Sequence, residues 1–284
     1  MDKKTPHDLI MGDIQFSTPP FVYSKLNTVI NNPHSSILDM GMIISEDQSL
    51  TARILRLANS PFFAFPSTVE TVTQAVTIIG TQQILDLVLA TSVIKLFEGI
   101  PEDLITVGEF WRHSLGCAVI ARIIAIYKRE PNVERFFVAG ILHDIGRLII
   151  CTKIPEMFRE VVLDCREHGE LLFVGEQKAI GFDHAEMGDV LLDEWKIPLS
   201  LREIVACHHY PLRAKHFPTG AAVVHIAEFI THAMQFGRSG DPYVPPLNTK
   251  AWEMLDLRTG LISPIFDQAE RHFNAALQLL GLDL

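Results

Sequence analysis

Apolar residues recur at helical spacing along almost the whole of this chain. Nowhere do they alternate for long enough to make a convincing strand. A set of amphipathic helices can bury its faces only against one another, so an all-α fold is expected. Phe21, Leu26, Val29 and Ile30 line one face before Asn31-Asn32-Pro33 stops the run. Ile37 to Ile44 follows the N-cap candidates Ser35-Ser36. From Ser49 to Ala58, Leu50, Ile54, Leu57 and Ala58 oppose Arg53 and Arg56. Val72 to Ile79 precedes Gly80, and Thr81 opens a helix through Phe97. Further helices are expected over Val107 to Tyr127, Val133 to Cys151, Glu156 to His168, Phe173 to Ile180, His184 to Trp195, Leu199 to Cys207, Ala221 to Gln235 and, after Ser263-Pro264, to Leu280. Gln235 to Asn248 carries two glycines and three prolines and reads as a long loop. Gly99-Ile100-Pro101 is the boundary candidate, dividing residues 1–100, an N-terminal helical lobe, from residues 101–284.

With 48% hydrophobic and 20% charged residues in 284, the chain can build a core and is not disordered. The net charge of −10 and the lack of a basic stripe argue against nucleic-acid binding. The most apolar stretch, Ile84 to Phe97, is interrupted by Asp86, Thr91-Ser92 and Lys95, so no membrane span is expected, and the first residues show no signal peptide. Cys117, Cys151, Cys165 and Cys207 form no CxxC pair, which fits reduced thiols and a cytoplasmic location.

Nine of the twelve histidines fall between His113 and His232. His143-Asp144 sits in the apolar run GILHDIGRLII, where an unpaired polar pair is costly to bury. Glu109 and His113 are one helical turn apart. His184 opens DHAEMGDVLL, His208-His209 is a second adjacent pair, and Glu228 lies in the apolar VVHIAEFI. Five imidazoles and three carboxylates suit one or two divalent transition ions, Fe or Mn first and Zn or Ni as alternatives. Neighbours on a helix diverge by about 100°, so each adjacent pair would serve two close ions better than one.

ILHDIGRL, FDHAEMGDVLLDEWKIP, ACHHYP and VVHIAEF resemble the HDOD family, the HD-related output domains of bacterial signalling proteins. ISEDQSLTARILRLANSPFF and VTQAVTIIGTQQILDLVLA resemble its N-terminal region, so the likeness runs from Ile14 to Ala233. It implies an N-terminal helical bundle packed on an HD-like helical domain, related to the HD-GYP phosphodiesterases. By resemblance the metal set is Glu109, His113, His143, Asp144, His184, His208, His209 and Glu228, with Asp144 also catalytic if the chain is an enzyme. Glu228 stands where Asp is usual, and YPLRAKHFPTG after His209 has no GYP segment. Arg147 replaces the usual Lys after HDIG; it reads either as a phosphate contact or as a surface salt bridge. His225 reads as a supporting or core histidine. His168, His216, His232 and His272 read as surface or loop residues, and Phe62, Phe63 and Phe65 as packing or a partner patch. Between Gly181 and Pro211 only Lys196 and Arg202 are basic, which is thin for a dinucleotide. The expected function is therefore regulatory, with signalling proteins as partners and a nucleotide ligand as an option. Metal-dependent phosphohydrolysis is the alternative.

Overall fold

The computed structural model describes residues 5–11, 18–60, 68–97, 105–241 and 243–280. The expected boundary at Gly99-Pro101 and the Phe62, Phe63, Phe65 cluster lie outside the described residues. No strand occurs among those described. The first helices are α1 (Pro6–Ile10), α2 (Phe21–Ile30), α3 (Ile37–Ser45), α4 (Gln48–Ala58), α5 (Val72–Ile79) and α6 (Thr81–Leu96). Then follow α7 (Val107–Tyr127), α8 (Val133–Leu142), α9 (Ile145–Lys153), α10 (Pro155–His168), α11 (Leu172–Ala179), α12 (His184–Glu194), α13 (Leu199–Cys207) and α14 (Pro218–Met234). Two short helices absent from the periodicity reading begin and follow the series, α1 and α15 (Thr249–Leu255). α16 (Ile262–Leu280) closes it.

Local chemistry sets the starts. Ser36 with Asp39 and Thr71 with Gln74 form reciprocal capping boxes. Asp47, Asn132 and Asp183 each accept a first-turn amide. Gly80, at φ +105°, lets α5 and α6 meet at a bend of 117°. No single helix among the described residues is long and apolar enough to cross a membrane.

α7 is the axis of the fold. Its residues Phe110, Trp111 and His113 through Ala125 are buried, and α8, α14 and α16 pack around it. One apolar core runs from Leu26 and Ile54, through Val88 and Leu115, to Ile149 and Val223. Two elements tie the ends of the chain across it. α1 packs on α12 and α9, and α16 reaches both α7 and α4.

The run Val133 to Cys151, expected as one helix, is two. Gly140 lets α8 approach α7 so closely that a Cβ there would lie 2.4 Å from the Ala118 Cα. Gly146 does the same for α9 on α12, where a Cβ would lie 2.1 Å from the His184 carbonyl oxygen. The two halves therefore dock on different partners, and the chain turns between them, at His143-Asp144.

α6 meets α8 over a buried polar cluster. Asp86, 4% exposed, accepts from Gln82 (2.9 Å) and from the Asn132 side chain, with Arg135 and Glu134 nearby. Burial pushes its carboxyl up from 3.8 to about 6, against those hydrogen bonds and Arg135. A folded-state value above the unfolded one means the cluster is most stable with Asp86 protonated. Stability is then lost as pH rises from about 4 to about 6 and stays reduced above that. Asp86→Asn is expected to gain about 2 kcal/mol at pH 7.5 and less than 1 kcal/mol near pH 4, read by urea denaturation.

Candidate metal centre

His143, at the C-terminal end of α8, donates its Nδ1–H to the Gly140 carbonyl at 2.7 Å. His208, at the end of α13, does the same to Val205 at 2.7 Å. Each bond fixes the tautomer and leaves the Nε2 lone pair aimed inward. His184 begins α12. Its backbone amide and its Nδ1 both reach Glu176 Oε2, at 2.9 and 2.6 Å, again freeing Nε2. Three histidines on three helices thus present the same nitrogen.

Those nitrogens meet Asp144. Its Oδ1 lies 3.0 Å from His184 Nε2 and 3.8 Å from His208 Nε2, and its Oδ2 lies 3.4 Å from His143 Nε2. His209 brings Nε2 to 2.8 Å from His184 Nε2 and Nδ1 to 3.8 Å from Glu228 Oε2. Two sets of donor atoms result, Asp144/His184/His208/His209 and His113/His143/Asp144, each lying within 4.8 Å of one another and sharing Asp144. Separations of 2.8 and 3.0 Å match neighbouring ligands on one ion bound at about 2.1 Å.

The fit to a metal rests on unmet hydrogen bonds. Both ring nitrogens of His113, Nε2 of His143 and of His208, Oδ1 of Asp144 and Oε2 of Glu228 are buried without a hydrogen-bond partner. Each such group costs about 1–3 kcal/mol, and their concentration at one point is what a cation would satisfy. The carboxylates draw positive charge to this point: against burial, Asp144 raises His143, and Glu176 with Asp144 raises His184. Asp144 is held far below the usual carboxylate range despite its burial, by Arg147 and then by His143 and His184. Burial lowers His113, His208 and His209 well below the ordinary imidazole value, keeping them neutral. His184 is carried up to about 9: burial and Arg147 oppose this, and Glu176 and Asp144 outweigh them. Burial, with Asp144, raises Glu228 to about 7.

The structure brings His113, His143, Asp144, His184, His208 and His209 together, with Glu228 at the edge of the group. It does not bring Glu109. That side chain is 37% exposed and lies 3.6 Å from Arg112, because the buried part of α7 begins one residue later, at Phe110. Arg147 is 1% exposed, which excludes a surface salt bridge. Its Nη1 donates to Asp144 Oδ2 and to the Ser239 carbonyl, both at 2.9 Å. Nη2 lies 2.9 and 3.2 Å from the two nitrogens of His184, over the ring. His225 supports the centre as expected: Nδ1 donates to the His208 carbonyl (2.9 Å) and Nε2 accepts from the Asn248 amide (2.9 Å).

Other neighbours escaped sequence reasoning. Glu176, fully buried, orients His184. Its only signal was a carboxylate in the apolar stretch LLFVGEQ. Phe173 stacks on His209 with ring centroids 4.1 Å apart. His232, expected at the surface, is half-buried with its ring 4.7 Å from that of His113, since α14 packs on α7.

A family model described as the HDOD domain matches residues 16–211. An uncharacterized curated protein of Treponema pallidum (strain Nichols) is 20% identical over 186 residues, 65% of this chain and 36% of that protein. The chain thus spans about a third of that relative's length. Among solved structures, an HDOD domain protein of unknown function from Geobacter sulfurreducens matches with a TM-score of 0.75 and 25% identity over 92% of each chain. A Shewanella amazonensis SB2B protein, proposed to be a phosphohydrolase, matches with a TM-score of 0.66 and 25% identity, over 93% of this chain and 91% of that one. A Marinobacter aquaeolei VT8 protein, proposed to act in signal transduction, shares the fold at a TM-score of 0.69 and 19% identity, over 93% of this chain and 58% of its own.

Proposed function

The chain belongs to the HDOD family, and on that premise we propose that it is a signalling module built around a closed metal centre, with a change of surface as its output. One observation carries this reading. His113, His143, Asp144, His184 and His208 have no exposed surface, and His209 has 9%. A phosphoester could not reach the ligands without the protein opening. The bound ion would be held by Asp144, His184, His208 and His209 on one side and by His113 and His143 on the other, and Fe or Mn suits that donor set. There it would supply positive charge to a core that otherwise leaves several polar groups unmet. Arg147 holds the Asp144 carboxylate and, through the Ser239 carbonyl, anchors the loop after α14 to the centre. The partner in this reading is another signalling protein.

The hydrolytic alternative draws support from Asp144, whose carboxylate is shared by two donor sets as two-ion hydrolysis requires. What it lacks, among the described residues, is room for a substrate at the ligands, since positioning a substrate supplies much of such a rate. Purified protein loaded with Mn(II) or Fe(II) is therefore expected to show no turnover of cyclic dinucleotides, nucleoside triphosphates or simple phosphoesters above the metal-only control. Turnover that disappears in both His143→Ala and Asp144→Ala would overturn the signalling reading and establish the hydrolase.

A further inference from the structure

The loop that closes the metal centre has two faces. Inward, the Ser239 carbonyl accepts from Arg147. Gly237, at φ +74°, lies so flat on α7 that a Cβ there would sit 2.4 Å from the His113 amide nitrogen, and the Arg238 amide donates to the Glu109 carbonyl at 3.0 Å. Outward, Arg238 and Gly240 form one wall of a cleft of about 420 Å³, completed by Ile105, Thr106 and Glu109 at the start of α7 and by Arg166 of α10.

This cleft's chemistry is unlike that of the chain around it. The protein carries ten more acidic than basic residues, 34 against 24, yet two arginines line one cleft. Neither guanidinium has an ion-pair partner among the described residues. Glu109, the carboxylate in the lining, already faces Arg112 at 3.6 Å. Thr106 precedes α7 and its hydroxyl makes no cap hydrogen bond. Unpaired arginine forks beside a hydroxyl fit the tetrahedral oxygen array of phosphate, and the volume falls within the range of small-molecule sites.

We propose that this cleft binds a small phosphate-bearing anion through Arg166 and Arg238. The net charge repels anions at a distance, so affinity must come from these short contacts. A ligand gripping Arg238 pulls on the segment that Ser239 fastens to Arg147. Occupancy of the cleft and order at the metal centre are then coupled, each strengthening or weakening the other equally. This consequence rests on the signalling reading above and names its input; the binding itself does not depend on it.

The test is fluorescence titration of the full chain with N-methylanthraniloyl-ADP in low-salt buffer containing a chelator. Saturable binding is expected. Arg166→Gln and Arg238→Gln should each weaken it about tenfold and together abolish it, with unchanged far-ultraviolet circular dichroism. No binding at millimolar probe, or binding that survives the double arginine variant, overturns the proposal. Binding lost in His143→Ala but kept in the arginine variants overturns it too, and would move the anion to the metal centre, as the hydrolytic alternative requires.

Discussion

His143→Ala is expected to leave the protein nearly free of metal. The His143 ring lies between those of His113 and His208, at centroid distances of 5.5 and 5.2 Å, and its Nε2 is one of the unmet groups that a cation would satisfy. Its Nδ1 bond to Gly140 already fixes the ring, so the donor is placed before the ion arrives, and its loss cannot be made good by rotation of a neighbour. Loss of an orienting partner costs metal sites about 10–100-fold in affinity, and loss of a ligand should cost at least the upper figure. Elemental analysis after growth in iron- and manganese-replete medium reads this directly. Stability should fall with it. An ion at a thousandfold excess over its dissociation constant stabilises by about 4 kcal/mol, and that contribution disappears with the site. A variant that keeps full metal content would remove His143 from the ligand set.

Gly146→Ala is expected to have the largest effect of any single methyl group. The new Cβ would lie 2.1 Å from the His184 carbonyl oxygen and 2.5 Å from the Gly188 amide nitrogen. Both are backbone atoms, so no side chain can swing aside; α9 must move away from α12. Overpacking of this kind costs about 3 kcal/mol, which in a domain of this size lowers the melting temperature by about 6–12 °C. The same shift parts Asp144, at the head of α9, from His184, at the head of α12, now 3.0 Å apart. Metal content should therefore fall along with the midpoint, although no ligand has been changed. Calorimetry and elemental analysis on one preparation test both. A variant with wild-type midpoint and metal would mean that the α9–α12 contact is not what brings the ligands together.

Much of this architecture is legible without coordinates where helical periodicity is strong and bounded. Val107–Tyr127 and Leu199–Cys207 are read to the residue. The break at His143-Asp144 is not, because apolar spacing continues straight through GILHDIGRLII. The break comes from two glycine-dependent contacts with different partner helices, which is tertiary information. The same limit governs the site. His143, Asp144, His184 and His208 stand out because they interrupt apolar runs. Glu109 lies on the same helix face as His113, yet a shared face does not say where burial begins along that face. Glu176 is more important than any motif suggested, since its carboxylate acts only because α11 ends beneath the first turn of α12. Arg147 looked like a surface or substrate-facing cation; its burial follows from the loop that returns over it and offers the Ser239 carbonyl.

The central claim is that the ion sits in a closed shell of protein ligands. A catalytic centre keeps a position for exchangeable water, and a closed one does not. Water-proton relaxation of the Mn(II)-loaded protein separates the two. The account predicts relaxation no faster than outer-sphere water produces, unchanged by added phosphate. A strong enhancement from exchanging bound water, quenched as phosphate displaces it, would contradict the closed centre and with it the signalling reading.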